Sequence, residues 1–245
     1  MRMRFARRTG AVGVAVVASL VIGALPASAA PGDGSAFVAK VSVSLLGAAA
    51  VNVGPLAPSN SNGPTSAQLA SVNAAGLVTA GVVTSSATLN EETGEVHAQA
   101  DLANVGIGLG ALGGTIGAVN ATCDATQAGT TGSASIANLQ LAGISVPVNP
   151  APNTTINLAL AKVVFNEQIS NPDGSLTVNA VHITLNALVG TGDVILAQAK
   201  CGPAAPPVPM ASGAGLWIGL GLLALMAIPV GGVVVRKRRD AAASA

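Results

Sequence analysis

A stretch of 22 residues without a charged side chain, 214–235, constrains this chain more than any other feature. A helix of that length, at about 1.5 Å per residue, spans roughly 33 Å, which is enough for a bilayer core of about 30 Å. Four basic residues follow it at once, Arg236, Lys237, Arg238 and Arg239. Because lysine and arginine beside a span stay on the cytoplasmic side, we expect the residues before 214 to lie outside the cell and 236–245 to form a cytoplasmic tail.

The beginning of the chain has the order of a secretory signal peptide. Four arginines among the first eight residues precede an apolar run, 11–25, which is short for a membrane span. Ala27, Ser28 and Ala29 then form a small-residue cleavage site, so we expect a signal peptide over 1–29 that is cleaved after Ala29. The alternative is an uncleaved anchor, which would still leave the middle of the chain outside the cell.

Between these ends, 30–202 is long enough for one domain, and a proline-rich linker, 203–213, joins it to the expected span. The domain carries three lysines, no arginine and nine carboxylates, a net charge of −6. Such a surface cannot neutralise a row of phosphates, so we expect no nucleic-acid partner. The domain also lacks tyrosine and tryptophan, which lowers the expectation of a sugar-binding platform or an aromatic interface.

The domain contains two cysteines, Cys123 and Cys201. In an oxidising exterior a pair of cysteines favours one disulfide, which would join the end of the domain to its middle. Two free thiols or a metal site are the alternatives. A zinc site is poorly supported because the two histidines lie at no regular spacing from the cysteines.

Alternation of apolar and polar residues predicts β-strands along most of the domain. The clearest case is FVAKVSVSLL, 37–46. We expect about nine to eleven strands and little helix. The expected fold class is all-β, an antiparallel β-sandwich or jelly-roll-like ectodomain plus one C-terminal transmembrane helix, with a parallel β-helix as the alternative.

Four segments carry more specific expectations. The segment 68–75 favours one or two helical turns, and the glycine- and threonine-rich segment 110–131 indicates loops around a short strand at Cys123. The segment 155–167 alternates as one strand, and 144–148 indicates another.

One pattern occurs three times: a turn glycine, an alternating strand, and a shift of the apolar phase by one residue. A shift of one residue sends later side chains to the other face of a strand, unless a β-bulge restores their facing and bends the strand. We therefore predict three long, bent strands of one kind. They follow Gly94, Gly132 and Gly174, with the shift falling after Leu102, Ile136 and Ala180.

The candidates for chemistry are His97, His182 and the acidic turn Glu91, Glu92 and Glu95. By alternation each histidine lies opposite the apolar phase of its strand, on a solvated face. No serine-nucleophile motif accompanies either of them. Paired carboxylates can hydrolyse glycosides, but without aromatic platforms they favour a solvated turn, and no standard calcium loop is present. We therefore expect no catalytic, cofactor-binding or metal-binding residues, with an envelope hydrolase using His97 or His182 as the alternative.

Several strand segments give the chain a family resemblance. They are VSVSLLG (41–47), SASIANLQLAG (133–143), VVFNEQ (163–168), GSLTVNAVHITL (174–185) and GDVILAQAKCG (192–202). In these the chain resembles actinobacterial surface proteins of the choice-of-anchor P type, a family that pairs a shared domain with alternative C-terminal anchors. The resemblance implies cell-surface placement and brings no catalytic residues with it.

The C-terminal region is similar to a sortase-type sorting region, with a proline-rich spacer, an apolar span and a basic end. Where the pentapeptide Leu-Pro-x-Thr-Gly would be expected, however, residues 208–213 read Val-Pro-Met-Ala-Ser-Gly. We therefore expect 214–235 to remain as the final membrane anchor. The expected partners are the lipid bilayer and an unidentified cell-wall or surface ligand, and the expected role of the domain is structural or adhesive.

Overall fold

A computed structural model describes residues 30–47, 49–109, 112–141, 146–188 and 190–207. The expected signal peptide with its cleavage site at Ala29, the span 214–235 and the basic residues 236–239 lie outside this described part. In the described ranges no helix is long and apolar enough to cross a membrane.

The described chain is built from strands connected by turns and short loops, as the alternating residues predict. The fifteen described strands are β1 (Gly34–Leu45), β2 (Val51–Leu56), β3 (Ser59–Asn60), β4 (Ser66–Leu69), β5 (Val72–Ala74), β6 (Val78–Ala80), β7 (Val83–Leu89), β8 (Val96–Leu109), β9 (Leu112–Thr126), β10 (Gly129–Ala137), β11 (Gln140–Leu141), β12 (Thr154–Asn157), β13 (Ala161–Ser170), β14 (Leu176–Leu185) and β15 (Gly190–Cys201).

The strands form two antiparallel sheets. The seven-stranded sheet has the order β12-β13-β14-β15-β1-β2, with β3 also paired to β1. The eight-stranded sheet has the order β10-β9-β8-β6-β5; in addition β11 pairs with β9, β7 with β8, and β4 with β7. The all-β, antiparallel expectation is therefore confirmed, and the parallel β-helix is wrong because every described strand pair is antiparallel.

The inner faces of the two sheets share one hydrophobic core, which gives the fold its sandwich-like character. Valine, leucine, isoleucine and alanine supply almost all of it, and Phe165 is its one fully buried aromatic side chain. Removing this apolar surface from water is the main favourable term for a domain with so few charged contacts.

The predicted shifts of apolar phase occur where neighbouring strands of each sheet bend together, along a line that we call the crease. In the eight-stranded sheet, Leu102 and Val105 are both buried, and Asn104 between them has a left-handed backbone with φ 54°. Asn104 on β8 and Gly117 on β9 lie opposite each other and are both missing from the paired residues of the two strands. Since one residue is skipped on each strand, the register is the same before and after them. Asn138, again at φ 54°, continues the crease on the far side of Gly117.

The seven-stranded sheet bends in the same way. Asn166 and Ala197 have left-handed backbones, at φ 48° and 50°, and the strands keep their register past these residues. Ala180 and Val181 are both buried in β14, as the shift of phase predicts. Each bend therefore lets a long strand present apolar side chains to the core along its whole length. Because the register is the same on both sides of each bend, no residue is inserted, and the β-bulges expected at the phase shifts are wrong. The second of the three predicted strands is not continuous, since it is divided between β10 and β11.

The predicted disulfide between Cys123 and Cys201 is present and joins the two sheets. Cys123 lies in β9 of one sheet and Cys201 ends β15 of the other, with their Cα atoms 5.6 Å apart. Both residues are fully buried. The bond therefore fixes the last strand of the domain against the opposite sheet.

The residues after the last strand remain attached to the domain. Gly32 donates its backbone N–H to the carbonyl of Pro203, at 2.8 Å, and Ala205 donates to the carbonyl of Gly94, also at 2.8 Å. Gln127 donates its side-chain amide to the carbonyl of Ala205, at 2.7 Å. The first residues of the expected linker are therefore a docked segment, 203–205, and not a free spacer.

Some local predictions are wrong. The segment 68–75 forms parts of β4 and β5 and no helix, and most of 110–131 forms β9 and β10. The segment 155–167 is divided between the antiparallel partners β12 and β13. Gly132 is inside β10 and is not a turn glycine; a side chain there would collide with Val178 of the opposite sheet. Residues 146–148 form no strand, and 142–145 lie outside the described residues.

Candidate functional site

The two histidines lie on the outer faces of opposite sheets, as the alternation predicts. The side chain of His97, on β8, is 47% exposed, and that of His182, on β14, is 21% exposed. Each histidine contacts a carboxylate from a neighbouring strand. The two histidine–carboxylate clusters are therefore the candidate sites for acid–base chemistry.

His182 lies between two carboxylates. Its Nδ1 is 2.8 Å from Oε2 of Glu167 on β13, and its Nε2 is 3.1 Å from Oδ1 of Asp193 on β15. A neutral imidazole has one N–H and can donate to only one of these groups, whereas an imidazolium donates to both. In its charged form His182 therefore ties three neighbouring strands together.

A layer of polar side chains surrounds His182. Asn179 donates to Oε2 of Glu167 at 2.6 Å, and Gln198 donates to Oδ1 of Asn179 at 2.7 Å. On the other side, Thr184 donates its hydroxyl to Oδ1 of Asp193 at 2.9 Å. The carboxylates are therefore held by amide and hydroxyl groups as well as by the imidazole.

His97 belongs to a separate network on the eight-stranded sheet. Its Nδ1 is 2.6 Å from Oδ1 of Asp124, directly opposite on β9, and its Nε2 is 3.3 Å from Oε1 of Gln99. Gln99 donates to Asp101 at 2.9 Å, and Asn120 donates to the other oxygen of Asp101 at 2.7 Å. The result is a continuous chain of polar contacts across β8 and β9.

The hydrogen bond to Asp124 raises the pKa of His97 above its ordinary value. The contact with Gln99 and the negative charge of Asp124 act in the same direction, while partial burial lowers the pKa. His97 is therefore more often charged near neutral pH than an isolated histidine.

Neither cluster has the geometry of a nucleophile beside a base. In the described structure the ring nitrogens of both histidines contact carboxylate or amide oxygens, and neither contacts a hydroxyl. A histidine acting as general base needs a ring nitrogen within hydrogen-bond reach of the proton that it removes. The contacts at His97 and His182 instead connect strands.

Metal-binding side chains do not converge in the described ranges: no group of three or more histidine, cysteine or acidic residues is placed to hold an ion. The acidic turn of Glu91, Glu92 and Glu95 is exposed, and Asn90 accepts backbone N–H donors from within it. This geometry is that of a solvated turn.

The lysines of the domain are all on one side. Lys40, Lys162 and Lys200 lie on the outer face of the seven-stranded sheet, each between buried neighbours on its strand. Among the described residues, the outer face of the eight-stranded sheet carries Asp101 and Asp124 and no lysine. The net charge of the domain is therefore unevenly distributed between its two faces.

Comparison of the chain with protein-family models, curated proteins and solved structures found no match. The family resemblance carried by the strand segments is therefore still an expectation.

Sequence reasoning found both histidines and their solvated faces but not their partners. Asp124 is 27 residues from His97, and Glu167 is 15 residues from His182. These pairs meet only through the register of neighbouring strands, and that register depends on turns and bends that alternation alone does not specify. Asp124 could not be assigned to His97 from the sequence because the pairing of β8 with β9 was not predicted. Most of the segment that forms β9 was expected to be a loop.

Proposed function

We propose that the chain is a membrane-anchored bacterial cell-surface protein whose β domain has a structural or adhesive role without catalysis. The observation that carries the proposal is the disulfide between Cys123 and Cys201, which is buried between the sheets. Structural disulfides form and persist in oxidising compartments and are rare in the cytosol. The bond therefore supports folding of the domain outside the cytoplasm.

The two ends of the chain support the same location. The order of residues in 1–29 favours export, and 214–235 followed by four basic residues favours retention as a single-pass anchor. Since 208–213 lacks the sortase pentapeptide, the proposed anchor is the membrane helix itself. The resemblance to choice-of-anchor P proteins supports an actinobacterial envelope as the setting.

A structural or adhesive role is preferred to hydrolysis because of the contacts at His97 and His182. Both imidazoles connect strands through carboxylates, and in the described structure neither approaches a hydroxyl nucleophile. The polar layers on both outer faces leave the domain with large hydrophilic surfaces. Such surfaces suit a domain that stands in a hydrated, polymer-rich envelope.

Deletion of 211–245 tests the proposal in the native host. We expect the truncated protein to be exported and recovered from the medium with its disulfide formed, while the full chain fractionates with membranes. A matched variant that replaces 214–235 by an unrelated apolar span should restore retention. If the truncated protein stays in the cytoplasm with two free thiols, the proposed location is wrong.

A further inference from the structure

The outer face of the eight-stranded sheet contains an open groove of about 450 Å³ along its crease. Ligand sites typically have volumes of about 300–1,000 Å³. The groove crosses the outer face of β6, β8 and β9 and ends at the edge strand β11. Thr115 in its wall is eight residues from Cys123 along β9, or roughly 25 Å at about 3.3 Å per residue. The groove is therefore on the half of the domain away from the disulfide and the docked segment 203–205.

One row of the groove is made by four paired residues on four strands. Gly106 pairs with Thr79 on one side and with Thr115 on the other, and Thr115 pairs with Gln140. A Cβ atom on Gly106 would lie only 2.6 Å from the hydroxyl oxygen of Thr79. Glycine at the centre of this row therefore keeps the floor of the groove low between polar walls.

The crease itself makes the second row. Gly117 lies between Asn104 and Asn138, and a Cβ atom on Gly117 would be 3.0 Å from the amide nitrogen of Asn138. Both asparagines have left-handed backbones, which cost free energy for any residue except glycine. The bend therefore places two exposed amides on the rim of the groove.

The polar side chains of the groove have no hydrogen-bond partners in the described part of the chain. Within the described ranges, the amides of Asn104, Asn138 and Gln140 and the hydroxyls of Thr79 and Thr115 make no intramolecular hydrogen bond. Farther along β8 and β9, by contrast, the polar side chains from His97 to Asn120 are bonded to one another. The groove is therefore a place where the donors and acceptors of this face are available to a ligand.

We propose that this groove binds a short segment of an uncharged glycan. The proposal rests on the proposed function, because the groove can meet an envelope glycan only if the domain lies outside the cell. Each amide offers both donors and an acceptor, and each threonine hydroxyl offers both as well, which matches the hydroxyl groups of a sugar. None of the residues that line the groove is ionisable, so the site provides no charge for an anionic ligand.

The position of the groove distinguishes a glycan from a peptide. Extended peptides usually bind by adding a strand to a sheet edge through main-chain hydrogen bonds, whereas this groove lies on the outer face of the strands and only Gln140 belongs to an edge strand, β11. It also has no aromatic or deep apolar pocket for a peptide side chain. Without an aromatic platform the contact is made by hydrogen bonds alone, which favours weak binding repeated along a polymer.

The test uses the full chain in lipid nanodiscs and saturation-transfer NMR, which detects weak ligands. The neutral probes are maltohexaose, cellohexaose, mannohexaose and xylohexaose; hexagalacturonate is the charged probe, and an uncharged serine–glycine peptide is the third class. We expect at least one neutral hexasaccharide to receive saturation, and neither the charged probe nor the peptide to do so.

Two variants remove the groove contacts without disturbing the strands. Asn104→Gly with Asn138→Gly removes both amides at positions where glycine tolerates the left-handed backbone, and should weaken binding by about tenfold or more. Thr115→Val keeps the shape of the side chain and should weaken binding about fivefold. The matched control is Thr131→Val, an exposed strand residue on the same sheet outside the groove, which should leave binding unchanged.

Binding of no neutral hexasaccharide, equal binding of hexagalacturonate or the peptide, or equal loss in Thr131→Val would each overturn the groove assignment. Cooperative thermal unfolding of each variant shows whether a loss of binding reflects loss of the fold. If the wild-type protein is on the cell surface yet fails these tests, only the groove assignment is wrong. If the protein is in the cytoplasm, the proposed function itself is wrong, whatever the binding result.

Discussion

Removal of the disulfide between Cys123 and Cys201 should destabilise the domain by several kcal/mol. Cys123 and Cys201 are separated by 78 residues, so the bond closes a loop of about 79 residues in the unfolded chain. The chain-entropy relation gives a stabilisation of about 4–5 kcal/mol for a loop of that length. For a domain of this size the corresponding fall in Tm is roughly 10–18 °C.

The assay is denaturant unfolding of the detergent-solubilised chain, followed by far-UV circular dichroism. The variants are Cys123→Ala, Cys201→Ala and the double substitution. Since the bond is lost in all three, the double variant should be no more than about 1 kcal/mol less stable than either single variant. Alanine is chosen because both positions are fully buried and a polar replacement would add the cost of an unpaired buried group.

Two outcomes would refute this reasoning. One is a loss of stability below about 1 kcal/mol in the double variant, which would mean that the unfolded chain gains little freedom from breaking the bond. The other is recovery of two free thiols from the protein in its native host, which would show that the disulfide does not form there.

Two further predictions concern His97 and the docked C-terminal segment. The raised pKa of His97 means that its contribution to stability is complete below about pH 6.5 and is lost as pH rises through the folded-state pKa. His97→Asn should therefore lower the denaturant midpoint at about pH 5 and have a smaller effect at about pH 9; an equal effect at both would contradict the assignment. Gly94 and Gly76 both have φ 72°, but a side chain on Gly94 would collide with the backbone of Ala205, whereas one on Gly76 would enter open space. Gly76→Ala should cost about 1 kcal/mol from backbone strain alone, and Gly94→Ala clearly more; equal losses in thermal unfolding would show that the docked segment adds nothing.

The bent strands were predictable because the apolar pattern records which side chains face the core. In β8 the pattern changes phase between Leu102 and Val105, and the residues on both sides of the change are buried. The turn glycines Gly94 and Gly174 were predictable for a different reason, since a positive φ is easiest for glycine. At these strand and turn positions, the residue type that local backbone preference favours is also the one that the fold requires.

Strand β9 was not predictable from local pattern because its glycines serve tertiary contacts. Glycine is disfavoured in strands, so Gly113, Gly114 and Gly117 indicated loop. In the structure a side chain at Gly114 would collide with the backbone of Gln140 on β11, and one at Gly117 would crowd Asn138. The close approaches of β11 and of Asn138 therefore explain Gly114 and Gly117, and no close contact explains Gly113.

The candidate site was predictable only in part. Alternation placed His97 and His182 on outer faces, but their carboxylate partners come from other strands at distances set by register. The groove was missed for the same reason, since Thr79, Thr115 and Gln140 come together only when four strands are paired. A sequence pattern identifies the face of a strand, and the pairing decides which side chains share it.

Amine labelling of intact cells tests the location of the domain most directly. The lysines of the chain are Lys40, Lys162 and Lys200 in the domain and Lys237 in the expected cytoplasmic tail. Lys40 and Lys162 are exposed on the outer face of the seven-stranded sheet. With a membrane-impermeant amine reagent and peptide mass spectrometry, intact cells should give label on Lys40 and Lys162 and none on Lys237, while lysed cells give label on all three. Label on Lys237 in intact cells, or label on Lys40 and Lys162 only after lysis, would contradict a domain displayed outside the membrane.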